Sequence, residues 1–118
     1  MEHLKRRQDF VAAARAQSVA TPSMIVQARN RLDDGSPRLG FTCSKKIGNA
    51  VTRNRSKRRM REAARLVLAD KAQSGFDYVL IGRMATATRN FADLQKDLAG
   101  ALQRLHASPH DVVDKGRK

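Results

Sequence analysis

Residues 38–82 read RLGFTCSKKIGNAVTRNRSKRRMREAARLVLADKAQSGFDYVLIG. The first seven alternate: Leu39, Phe41 and Cys43 share one face, and Arg38, Gly40, Thr42 and Ser44 share the other. A period of two is that of a strand with one face buried. Residues 77–82, DYVLIG, form an apolar run between Gly75 and Arg83, the pattern of a strand buried on both faces. A long helical segment, about 50–72, lies between them, so the centre of the chain reads as strand–helix–strand.

Outward from this unit, the Ala-rich residues 7–17 read as a short helix and residues 23–29 as a strand. Residues 31–37, RLDDGSP, read as a turn, which also accounts for Asp33 and Asp34 without a metal. Phe91, Leu94, Leu98, Ala101, Leu102 and Leu105 have helical spacing, with Asn90 and Asp93 as an N-terminal cap. Pro109 ends that helix, and the tail from about 108 is expected to be flexible. The expected fold is α+β: one sheet layer packed with helices, in the order α-β-β-(β)-α-β-α, spanning residues 1–118 as a single domain.

The segment that enters and opens the helix carries most of the net charge. The chain has 118 residues and a net charge of +13. Residues 45–61 hold eight basic residues and no acid: Lys45, Lys46, Arg53, Arg55, Lys57, Arg58, Arg59 and Arg61. The remainder holds 16 basic against 11 acidic residues. The charge is therefore a patch. At 3.6 residues per turn, Met60, Ala63, Ala64 and Val67 face the core. Asn54, Arg58, Arg61 and Arg65 form a second stripe, with Arg55 and Arg59 on the far side near Glu62. Cations at a helix N-terminus oppose its dipole by about 0.3–1 kcal/mol each. A bound phosphate would reverse the sign of that cost, and the planar guanidinium fork suits phosphate. Nucleic acid is the first candidate for a polyanionic partner; aromatics are only 4% of the chain, so contact with its backbone and shape should dominate over base stacking.

Other classes fare worse. Cys43 is alone, so no internal disulfide or zinc cluster can form. His3, His106 and His110 are scattered, and no P-loop or catalytic triad pattern occurs, which leaves a protein-only nuclease without support. No run of about 18 apolar residues is present, and the N-terminus lacks the apolar core of a signal peptide, so a cytoplasmic protein is expected, without a membrane partner. A membrane-surface helix would set bulky apolar residues opposite its basic face; here that face is largely Ala and Met. A ribosomal protein or RNA chaperone would be served by the same patch.

The string GFTCSKKIGNAVTRNRSKRRMREAAR, residues 40–65, resembles the signature of the bacterial ribonuclease P protein family. Leu4-Lys5-Arg6 and Asp9-Phe10 resemble its N-terminal segment, Asp77 through Arg83 its last strand, and Phe91, Leu94 and Leu98 its final helix. The resemblance implies a left-handed βαβ crossover and a protein subunit that helps a catalytic RNA, using magnesium ions, to remove the 5′ leader of precursor tRNA. It implies RNA contact by Lys45, Lys46, Arg53, Asn54, Arg55, Lys57, Arg58 and Arg61, and a leader cleft between the first helix and the sheet, with Phe10 and Phe41. No obligate protein partner is expected. The sequence departs from the family pattern at Ala14, where a second aromatic is usual; a shallower cleft or weaker stacking follows. From the residues alone, Phe10, Phe41, Tyr78 and Phe91 read as core, and Cys43 as an inert buried thiol.

Overall fold

The computed structural model describes residues 1–107. The expected tail from 108, with Pro109 and His110, lies outside them. The elements run β1 (Glu2–His3), α1 (Arg7–Ala14), β2 (Gln17–Ala20), β3 (Met24–Asn30), β4 (Arg38–Thr42), α2 (Ala50–Lys71), β5 (Phe76–Gly82) and α3 (Phe91–Ala107). Single 3-10 turns cover Lys45–Ile47 and Met84–Ala87. The five strands form one sheet in the order β1-β4-β5-β3-β2. The fold is α+β.

β5 is the pivot of the sheet. It pairs in parallel with β4, from Arg38 opposite Asp77 to Thr42 opposite Ile81. On its other side it pairs antiparallel with β3, from Met24 opposite Gly82 to Asn30 opposite Phe76. Helix α2 carries the chain from β4 to β5, the expected strand–helix–strand unit. Because β5 is interior and covered on both faces, Tyr78, Val79 and Leu80 are all buried, which explains its uninterrupted apolar run.

The pleat sorts side chains to two faces. On one, Met24, Val26, Ala28, Leu39, Tyr78 and Leu80 meet Met60, Ala63, Ala64, Val67 and Leu68 of α2 and Leu94, Leu98, Ala101, Leu102 and Leu105 of α3. These are the stripes that the helical spacing marked. On the other face, α1 seats Ala13 and Phe10 against Leu4, Val79 and Ile81. Gly40 makes that seat possible: a Cβ there would lie 2.6 Å from the Phe10 ring.

Two expectations need correction. The helix expected over 7–17 ends at Ala14, and Gln17–Ala20 instead forms β2. Alanine's helix propensity is a weak preference. Here it loses to pairing with residues 25–28 of β3, across a turn in which the Thr21 hydroxyl donates to the Met24 carbonyl at 2.8 Å. The strand expected over 38–44 stops at Thr42, after which the chain turns into Lys45–Ile47. The residue 31–37 turn is present, with Asp33 accepting from the Gly35 amide at 2.9 Å and from Arg31.

Candidate nucleic-acid interface

Helix α2 begins at a cap that the charge pattern did not announce: the Asn49 carboxamide accepts from the Thr52 amide at 2.9 Å. The first turn has no acid to answer the helix dipole. The basic residues of the β4–α2 connection and the first three turns of α2 then divide into two groups.

One group is anchored to backbone carbonyls. Arg53 donates to the Gly48 carbonyl at 2.7 Å, and Arg55 to the Ala87 carbonyl at 3.0 Å. Arg59 donates to the Thr86 carbonyl at 3.0 Å and to that of Arg89, with its guanidinium 5.8 Å from the centre of the Phe91 ring. Arg55 and Arg59 thus bind α2 to residues 83–90, not to Glu62, which pairs with Arg65 instead. The Glu62 carboxyl is held below its ordinary range by that guanidinium. Arg59 is the residue that charge counting alone could not sort, because its partners are carbonyls about 30 positions away.

The other group is open. Lys45, Lys46, Asn54, Arg58, Arg61 and Arg65 are exposed, and Lys57 is half-buried. The stripe Asn54, Arg58, Arg61 and Arg65 therefore faces solvent as its spacing required, while Met60, Ala63 and Ala64 on the opposite side are buried. Of the expected RNA-contact set, Arg53 and Arg55 carry a structural hydrogen bond as well as their charge.

The expected cleft residues separate. Phe10, half-buried on α1, lies over Gly40 beside Val79 and Ile81. Phe41 shares its face with Leu39 in the pleat and packs on the opposite side of the sheet, where the Arg61 guanidinium lies 5.6 Å from its ring centre. Phe10 and Phe41 cannot line one cleft, because adjacent pleat positions 40 and 41 point to opposite faces. Ala14 is exposed at the end of α1.

A polar cluster fixes α1 beside Phe10. Asp77 is fully buried. It accepts from Arg38 through both carboxylate oxygens at 2.8 Å and from Arg31 at 2.6 Å. Arg29 reaches Asp77 at 3.5 Å and Asp9 of α1 at 3.7 Å, and Arg38 reaches Asp9 at 3.5 Å. Burial pushes the Asp77 carboxyl up, but the hydrogen bonds and charges of Arg38 and Arg31 outweigh it and the net shift is downward.

Cys43 and His106 have local surroundings that account for them. Cys43 is half-buried against the core, and burial pushes its thiol up, the mark of an unreactive cysteine. His106 bonds the Tyr78 hydroxyl at 2.8 Å and is pushed down by desolvation. Among the described residues, no group of three or more His, Cys, Asp or Glu side chains could hold a metal ion, and no helix is long and apolar enough to cross a membrane.

The family model described as Ribonuclease P matches residues 1–106. The chain belongs to the ribonuclease P protein family. It is 59% identical over 108 residues to the ribonuclease P protein component of Ruegeria pomeroyi, covering 88% of this chain and 86% of that one. It is 50% identical over 116 residues to that of Caulobacter vibrioides, covering 98% and 75%. Among solved structures it resembles the Staphylococcus aureus RNase P protein with a TM-score of 0.75 at 28% identity, covering 90% of this chain and 96% of that one. The Thermotoga maritima RNase P protein gives 0.72 at 28% identity, covering 88% and 97%. As a ribonuclease P protein, the chain is the protein subunit of a tRNA-processing endoribonuclease, partnered with the ribonuclease P RNA in which catalysis lies.

Proposed function

We propose that the basic N-terminal part of α2 and the connection leading into it, with the open Lys45, Lys46, Asn54, Lys57, Arg58 and Arg61 and the carbonyl-anchored Arg53 and Arg55, docks the protein onto the ribonuclease P RNA, and that the α1 face of the sheet receives the 5′ leader of precursor tRNA. The RNA holds the magnesium ions that perform hydrolysis, and the complex works in the cytoplasm. The observation that carries this reading is the exposed, acid-free arginine stripe running along a helix whose opposite side is fully buried. Arg58 in particular is exposed, and such a face offers planar donors to phosphates.

For the leader, Phe10 gives a flat ring edge above Gly40. Ile25 and Gln27 are half-buried opposite Ile81 and Val79 in the β3–β5 register, and extend the same face. Phe41 plays no part in this cleft.

The docking face is tested by RNA affinity across a salt series. For every phosphate that Arg53→Ala or Arg58→Ala leaves without its guanidinium, the log–log salt slope should flatten by about 0.7–0.9. Unchanged affinity and slope in both variants would overturn the assignment.

A further inference from the structure

Phe41 leaves the α1 cleft for a different concavity. A cavity of about 470 Å³ opens where the β1–β4 edge of the sheet meets the C-terminal half of α2. Its volume falls in the range of small-ligand sites. Leu39, Phe41 and Ala64 form an apolar floor, and Arg61, Arg65 and His3 stand on its wall. Glu62 also lines it, but is paired with Arg65.

We propose that this cavity takes one unpaired nucleotide of an RNA partner, its base against Phe41 and its phosphate on Arg61. The inference rests on the RNA-binding reading of α2. Three observations lead to it. Arg61 and Arg65 are the last two members of the stripe that starts at Asn54 and Arg58, so the cavity continues the docking face without a break. Phe41 is half-buried, and the face of its ring is covered by the exposed side chain of Arg61, at 5.6 Å from ring centre to guanidinium carbon. A nucleobase offers that ring the same kind of π contact, and a guanidinium displaced from it stays within reach of the nucleotide's phosphate. Finally, an apolar floor with arginines on its rim matches the two halves of a nucleotide and neither a peptide nor a lipid headgroup alone. The site lies on the sheet face opposite Phe10, so a nucleotide held here is distinct from one held in the α1 cleft.

The test is an amide NMR titration of the isotopically labelled protein with adenosine 5′-monophosphate, and in parallel with inorganic phosphate. The nucleotide should shift the amides of residues 39, 41, 61, 64 and 65, whereas phosphate should act mainly at Arg53–Arg58. Phe41→Leu, which keeps the apolar floor, should weaken the nucleotide response about tenfold while the spectrum stays dispersed. Adding ribonuclease P RNA or a leader oligonucleotide then identifies the source: whichever displaces the nucleotide supplies the base. A nucleotide response no different from that of phosphate, one that survives Phe41→Leu, or one that neither RNA displaces overturns the proposal. Affinity for ribonuclease P RNA, measured on the same samples, reports separately on α2 docking; tight binding with a silent cavity rejects the nucleotide site alone.

Discussion

At the scale of single residues, Asp77 and Phe10 explain how α1 is seated on the sheet. Asp77 is a fully buried carboxylate whose charge is met by arginines from β3, β4 and the turn after β3. Removing one partner of a buried ion cluster costs about 3–5 kcal/mol when the rest stay buried. Arg38 and Arg29 are partly exposed and can turn to water, so Asp77→Ala should cost near the lower end, about 3 kcal/mol. Because the Asp77 carboxyl is depressed in the fold, its contribution is complete above the ordinary carboxylate range and is lost as pH falls through the depressed value. His106 acts in the same direction at higher pH: the fold keeps it neutral, so stability declines as pH drops below its ordinary range. Thermal melts against pH should show both declines in the parent; in Asp77→Ala the upper one stays and the lower one shrinks to what other depressed carboxylates such as Glu62 and Asp33 leave. Phe10→Ala should weaken binding of precursor tRNA more than of mature tRNA; equal losses would make Phe10 a packing residue only. The ion pairs of Asp77 were not visible in the sequence, where it reads simply as the start of a strand. Its partners Arg38 and Arg31 lie 39 and 46 positions away.

At the scale of elements, α2 does two jobs on two sides. Arg59 and Arg58 are neighbours with the same charge, yet one is bound to the Thr86 and Arg89 carbonyls and the other is exposed. Hydrogen bonds from a charged group contribute about 1.5–3 kcal/mol. Arg59→Ala should therefore lower the melting temperature clearly, while Arg58→Ala should leave it nearly unchanged and reduce RNA affinity instead. Paired melts and binding curves check this; the same profile for both variants would mean that the carbonyl hydrogen bonds carry no stability. Strands β3, β4 and β5 and helices α2 and α3 were legible because burial imposes a period on each. β2 was not, since QSVA has little pattern of its own and is made a strand by β3. The split of Phe10 from Phe41 was half legible: the alternation of 38–44 already put Gly40 and Phe41 on opposite faces, but only the structure put α1 on the glycine side.

At the scale of the whole molecule, a net charge of +13 on 118 residues is a standing repulsion that a polyanion relieves. The fold collects much of it in the segment that enters and opens α2. The most direct test is cleavage of precursor tRNA at low magnesium, with this protein added in the presence and in the absence of ribonuclease P RNA. The account predicts stimulation only when the RNA is present. Cleavage by the protein alone would contradict it, because the chemistry would then reside in the protein's own side chains and not in the RNA.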